Sequence, residues 1–241
     1  GLNAVLSKAL GEKNFEKVNK TATNAIFLMV LNIIVFFLVG LFAVKPFYTS
    51  QTTDAEIVTY GVQYLSIVLM CSFGIFFQFV FDKMLQSTGN TFYTMITQMV
   101  GALINIVLDP ILIFGLFGFP KMGVIGAAVA TVAGQIIAAI VSLIFNLTKN
   151  KEINMSFKGF KPDMDIIKQI YKVGVPSIIM QSIGSIMTYG MNQILIAFST
   201  TATAVFGVYF KLQSFVFMPI FGLNNGMVPI VAYNYGAQKR K

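Results

Sequence analysis

The sequence predicts an all-α, polytopic membrane protein, and three observations predict it. Six apolar stretches, at about Thr21–Val44, Ile57–Phe81, Phe92–Gly118, Val124–Leu147, Val173–Phe198 and Thr203–Tyr235, are each long enough to cross a hydrocarbon core of ~30 Å, which takes ~20 helical residues. The chain is 56% apolar and 11% charged, with a mean hydropathy of +0.76, where a soluble domain carries about a quarter charged residues. The basic residues alternate in their placement. Lys8, Lys13, Lys17, Lys20, Lys83, Lys149, Lys151, Lys158, Lys161, Lys168, Lys172, Lys239, Arg240 and Lys241 fall in one set of gaps, and only Lys45 and Lys121 in the other. That asymmetry is the positive-inside pattern and places both ends of this chain in the cytoplasm of a cell-membrane protein. Backbone inside lipid must satisfy its own hydrogen bonds, so the six stretches are expected to be transmembrane helices.

Composition also excludes several functions. The net charge of +8 sits in short loops beside spans, where topology accounts for it without nucleic acid. The chain has no His and a single Cys, Cys71, so neither an imidazole relay nor a thiolate metal site is available. No enzyme chemistry and no bound cofactor are implied.

Along the chain, Gly1-Leu2-Asn3-Ala4-Val5-Leu6 reads as the tail of an earlier span, and the chain as a piece of a longer polypeptide whose remainder is its first partner. Gly1, Val5, Leu6 and Gly11 line up with Gly226, Ile230, Val231 and Gly236 at an offset of 225, which suggests two homologous halves, a common transporter plan. The outer gaps Lys45–Glu56, Phe119–Gly123 and Ser199–Ala202 are too short for extramembrane domains. One long cytoplasmic segment divides the chain into an N-terminal part (1–148), a linker (149–172) and a C-terminal part (173–241). Within the linker, Asp163 is a candidate N-cap for a short amphipathic surface helix, with Ile166, Ile167 and Ile170 on one face and Lys168 and Lys172 on the other.

The third stretch carries Asp109, read as the one acid within the six. An ionised carboxylate in a span costs roughly 2.5–3.5 kcal/mol, so it asks for a reason. Asn105 lies one turn earlier on the same face, and Pro110 removes the next backbone N–H. Acid, amide and bend suit a proton or cation site, with sodium as a possible occupant of Asp109. The other reading is a helix break near the outer surface. In the fourth stretch Gly126, Ala130, Gly134, Ala138 and Ser142 recur every four residues, the small-residue pattern of close helix packing. Beside them Thr131 and Gln135 serve either as interhelical hydrogen bonds or as ligands. In the fifth, Gln181, Ser185, Thr188 and Asn192 form one polar stripe, facing either a substrate cavity or a neighbouring helix. Lys211, inside the sixth, either snorkels outward, pairs with an acid or faces the cavity.

The run Asn105-Ile106-Val107-Leu108-Asp109-Pro110-Ile111-Leu112-Ile113-Phe114-Gly115, followed by Gly123-Val124-Ile125-Gly126-Ala127-Ala128-Val129-Ala130-Thr131, resembles the multidrug and toxic compound extrusion (MATE) transporters. Gly174-Val175-Pro176-Ser177 and Pro219…Gly222-Leu223…Pro229…Tyr233-Asn234-Tyr235-Gly236-Ala237 agree with it. The resemblance implies a twelve-helix protein of two six-helix lobes, of which this chain would hold the end of helix two through helix eight. It implies a secondary antiporter that exports amphipathic organic cations, xenobiotics among them, in exchange for protons or sodium. It also assigns Asn105, Asp109 and Thr131 to a cation site that an acid on helix one would complete. Some sodium-coupled members carry a further carboxylate on helix seven, where this chain reads Ser182-Ile183-Gly184-Ser185. Two rivals are a flippase for a lipid or lipid-linked saccharide, which calls for more basic residues than Lys211 within the spans, and an ion channel, which calls for a repeated polar lining. Membrane lipids are partners under every reading.

Overall fold

The computed structural model describes every residue except 52, 53, 156, 158, 159, 240 and 241, and the side chains at 51, 196 and 200 are also left aside. Lys158, Arg240 and Lys241 of the basic segments therefore lie outside the described residues. The described residues form nine α-helices: α1 (Leu2–Gly11), α2 (Phe15–Phe42), α3 (Val44–Gln51), α4 (Ala55–Met70), α5 (Phe73–Ser87), α6 (Thr91–Phe114), α7 (Val124–Lys149), α8 (Met164–Ile196) and α9 (Thr200–Gly236), with one 3-10 turn at Leu116–Gly118. Local chemistry sets several ends. The Asp54 carboxylate accepts from the Glu56 and Ile57 amides to cap α4, and Asp163 accepts from Asp165 and Ile166 to cap α8. Such side chains satisfy amides that have no partner within the helix. Gly115 closes α6 in the left-handed conformation (φ 74°), its N–H bonded to the Ile111 carbonyl, a position that favours glycine.

Four of these helices, α2, α6, α7 and α9, are long and apolar enough to cross a membrane, and α4 with α5 form a fifth, bent candidate. The expectation of six is therefore corrected to four or five. The helix that falls short is α8: it is long, but Gln181, Ser182, Ser185, Thr188, Asn192 and Gln193 dilute its apolar content. Two further expectations change. The second stretch is two helices, broken at Cys71–Ser72 and bent by 47°, and it continues past Phe81 to Ser87. Residues 164–172 are not a separate surface helix but the first turns of α8, which runs unbroken through Pro176. Among its described residues, the gap after the first stretch holds a short helix, α3, and no domain.

The chain divides into two compact units, residues 22–162 and residues 1–21 with 163–241. In the first unit α7 is the hub, packed against α4, α5 and α6. Its small-residue ladder is the reason: Gly126, Ala130, Gly134, Ala138 and Ser142 are all buried. A Cβ at Gly134 would stand 2.7 Å from the Gly101 carbonyl oxygen, and one at Gly101 would stand 3.0 Å from the Ala138 methyl. Two helices approach this closely only where both surfaces are small. At the far end of α2, Phe36 sets its ring edge-on to Phe76 at 5.0 Å between centroids.

In the second unit α1 lies against α9 and α8. Gly11 meets the Tyr233 carbonyl, and Gly236 meets the Lys8 carbonyl. The offset of 225 carries Lys8 onto Tyr233 and Gly11 onto Gly236, so each contact is the image of the other under the internal repeat. The aligned segments are thus also a packed pair. Large apolar side chains remain on the outside of both units, among them Phe114 and Phe215, 64% and 77% exposed. A surface of this kind suits lipid rather than water.

Candidate functional site

The residues singled out on the third and fourth stretches meet where α6 faces α7. Asn105 and Asp109 are one turn apart on α6, and Thr131 stands on α7. The Asn105 Nδ2 group lies 3.4 Å from Asp109 Oδ1 and 3.4 Å from Thr131 Oγ1, so one amide bridges acid and hydroxyl. The Thr131 hydroxyl donates its own proton to the Ala127 carbonyl at 2.9 Å, which leaves its oxygen lone pairs facing the amide. All three residues are half-buried. Asp109 has no ion-pair partner among the described residues. The helix does not stop at the acid: α6 continues through Pro110 to Phe114. Pro110 supplies no N–H, so the Ile106 carbonyl lacks its usual helical donor one turn before the proline.

The arrangement offers a carboxylate and a hydroxyl oxygen on two facing helices, bridged by the Asn105 amide nitrogen. Hard oxygen donors of this kind suit a proton or an alkali cation. Gln135, one turn beyond Thr131, has a buried Oε1 with no hydrogen-bond partner among the described residues, a further unused acceptor on α7. Among the described residues no three His, Cys, Asp or Glu side chains gather as a metal site would require.

The remaining candidates belong to the other unit. Gln181 and Ser185 are exposed along α8 and help line a cleft of about 500 Å³ with Gly1, Ile170, Gly174 and Ser177. Thr188 and Asn192 are half-buried further along the helix, and the Thr188 hydroxyl is turned back onto the Gly184 carbonyl at 2.9 Å. Lys211 is exposed on α9 and has no ion pair among the described residues.

Sequence reasoning missed Asp82. Asp82 is only 2% exposed and lies on α5, so Asp109 is not the sole acid on these helices. Oδ1 of Asp82 accepts from the hydroxyls of Thr97 on α6 and Ser142 on α7, both at 2.8 Å, and Oδ2 lies 3.5 Å from the Gln98 amide nitrogen. Asn146 joins the same corner, donating to the Phe81 carbonyl at 3.0 Å and to the Ser142 carbonyl at 2.9 Å. Two signals in the sequence could have found it: Met84 and Leu85 continue the apolar pattern beyond the charge, and Ser142 is the last rung of the small-residue ladder. Charges commonly end spans, which is why Asp82-Lys83 suggests a span end from sequence alone.

With the geometry in place, similarity to known proteins is informative. The MatE family profile matches residues 1–111 and 176–241, including Asn105 and Asp109. Thr131 lies between the matched segments. The multidrug export protein MepA of Staphylococcus saprophyticus subsp. saprophyticus is 27% identical over 241 residues, all of this chain and 52% of that protein. Among solved structures, the MATE multidrug transporter DinF-BH is 32% identical with a TM-score of 0.86, over 98% of this chain and 52% of its own. An outward-facing conformation of a multidrug resistance MATE family transporter of the MOP superfamily is 25% identical with a TM-score of 0.90, over 99% of this chain and 52% of its own. The chain thus spans about half the length of the relatives it matches. With well over half of its own residues covered by the family profile, the chain belongs to the MatE family.

Proposed function

We propose that this chain forms part of a two-lobe, twelve-helix secondary antiporter of the cell membrane. The protein would export amphipathic organic cations in exchange for protons or sodium, with both ends of this stretch in the cytoplasm. The observation that carries the reading is the bridge of Asn105 between Asp109 and Thr131, in a chain of a family whose relatives include multidrug export proteins. A proton and a sodium ion neutralise the same carboxylate and exclude each other there. Either occupant relieves the cost of a charge in a span, and so biases whichever arrangement of α6 holds it best. No covalent step is needed. The stripe Gln181, Ser185, Thr188 and Asn192, together with Gln135 and Lys211, supplies polar groups for the exported cation or for helix contacts.

The test is Asp109→Asn in the full-length protein reconstituted in vesicles. The substitution keeps size and hydrogen bonding but removes the titratable charge. Export of ethidium, a fluorescent amphipathic cation, under an imposed pH or sodium gradient should fall to background while the amount of folded protein stays near wild type. Wild-type export by Asp109→Asn under either gradient removes Asp109 from the coupling role.

A further inference from the structure

The two polar clusters of the first unit lie along one helix pair. Thr97 and Asn105 are eight residues apart on α6, about 12 Å at ~1.5 Å per residue. On α7, Thr131 and Ser142 face the same two levels in reverse order. Between them is the tight crossing of Gly101 and Gly134, where the Gly134 Cα also approaches Asn105: a Cβ there would lie 3.5 Å from the Asn105 Cβ. The crossing has no side-chain cushion. A tilt or slide of α6 against α7 at one end must therefore appear at the other.

Asp82 fixes one end of this pair. It belongs to a third helix, α5, yet takes one strong hydrogen bond from each of α6 and α7, and ring contact of Tyr93 with Phe145 at 4.8 Å packs the same end. A carboxylate accepts without donating, so the Ser142 hydroxyl donates to it, and the single Thr97 proton is shared between Asp82 and the Thr94 carbonyl, both at 2.8 Å. Hydrogen bonds to an ionised acceptor are roughly twice as strong as neutral ones. Nothing here is arranged to release a ligand: the group is buried and its Oδ1 already accepts from two hydroxyls. Lys83, its neighbour in sequence, donates to Gln86 at 2.9 Å.

We infer that Asp82 is a positioning residue for the Asp109 site: by clamping Thr97 and Ser142 below the Gly101–Gly134 crossing, it sets the separation of Asn105 and Thr131 above it. The inference rests on Asp109 being the coupling carboxylate. Asp82 need not bind the coupling ion or change protonation. Its effect travels through two rigid helices that share one contact point, much as outer partners of metal ligands tune a site they do not touch.

The experiment is done on the full-length protein in vesicles, with ethidium export measured against sodium concentration at fixed pH, or against pH if sodium has no effect. Thermal unfolding of the detergent-solubilised protein is recorded for each variant. Asp82→Asn should raise the half-saturating ion concentration by about tenfold, the lower end of the effect seen when an outer-shell partner is lost, while the half-saturating ethidium concentration stays within about twofold of wild type. Thr97→Val should raise it by about threefold, in the range of coupling changes produced away from a ligand, and Thr97→Ser, which restores the hydroxyl, should return it to wild type. A folded Asp82→Asn with unchanged ion dependence overturns the inference. If Asp82→Asn does not fold, the Thr97 pair decides, and equal ion dependence of Val and Ser overturns it. Asp109→Asn is run beside them. If it exports normally, the coupling assignment itself has failed. If it is inactive and the Asp82 and Thr97 variants are unshifted, only the positioning role is lost.

Discussion

Asp82 and Asp109 occupy opposite ends of the same helix pair in very different settings. Asp82 accepts two hydroxyl hydrogen bonds at 2.8 Å and is closed off from the surface, whereas Asp109 is half-buried and touches a single amide at 3.4 Å. A buried carboxylate needs hydrogen-bond donors, and at Asp82 the protein supplies two hydroxyls to Oδ1 and the Gln98 amide 3.5 Å from Oδ2. At Asp109 the lone pairs are largely left open. The first arrangement holds helices together; the second leaves room for an ion. On the proposed reading of Asp109, burial and hydrogen bonding, rather than the mere presence of an acid in a span, separate an anchor from an exchange site.

The largest expected effect separates them by stability. Asp82→Ala removes the acceptor of Thr97 and Ser142 and leaves a void among three helices. With about 1.5–3 kcal/mol for a hydrogen bond to a charged group, and relief because Thr97 can turn fully to the Thr94 carbonyl at 2.8 Å, the loss should be about 3 kcal/mol. Asp109→Ala should change stability by less than about 1 kcal/mol, since little holds its carboxylate and its charge disfavours insertion. Unfolding of both variants in detergent, followed by denaturant or heat, compares them. Equal losses would erase the distinction between anchor and exchange site.

A smaller effect probes the crossing between the two clusters. Gly134→Ala places its methyl 2.7 Å from a backbone carbonyl, whereas Gly101→Ala meets a side-chain methyl at 3.0 Å. Neither contact can yield without moving backbone, since the Ala138 methyl is fixed to its own Cα, so the shorter approach is the costlier one. Gly134→Ala should therefore cost about 1–3 kcal/mol, as overpacked contacts do, and Gly101→Ala distinctly less. Melting temperatures in that order support a rigid fulcrum, and the reverse order places the tight contact elsewhere.

The all-helical character, the small-residue ladder of α7, the N-cap at Asp163 and the pairing of Asn105 with Asp109 were legible in the sequence, because each rests on a local period or on spacing along one helix, whereas Thr131, 26 residues from Asn105 on another helix, was joined to them only through the family resemblance. The break at Cys71–Ser72 was not legible. Nothing in that apolar run is a strong helix breaker, and Gly74 explains itself only through its close approach to the α7 backbone at Ile136. Asp82 was overlooked for a related reason. Its partners lie 15 and 60 residues away, and no single-helix pattern joins them. The contacts of Gly11 and Gly236 lie between these cases: the repeat was visible, but nothing in it said that the two copies pack on each other.

The smallest effect belongs to Thr131, the neutral member of the open cluster. Thr131→Val keeps the branched shape and removes Oγ1, which donates to the Ala127 carbonyl and faces the Asn105 amide at 3.4 Å. The Ala127 carbonyl retains its helical N–H partner, so its loss of the hydroxyl is inexpensive. Asn105 is close to Asp109 as well, at the same distance, so its amide keeps one acceptor. What disappears is one neutral oxygen beside the carboxylate, worth about 0.5–1 kcal/mol, or roughly a two- to fivefold weakening of ion dependence at 1.4 kcal/mol per tenfold. Stability should stay within about 0.5 kcal/mol, as for substitutions that break no buried network. Thr131→Ser restores the oxygen and should restore the ion dependence, which ethidium export against sodium or pH in the full-length protein will show. If Val and Ser behave alike, the Thr131 oxygen contributes nothing to the ion site, and the open cluster reduces to Asp109 with its single amide.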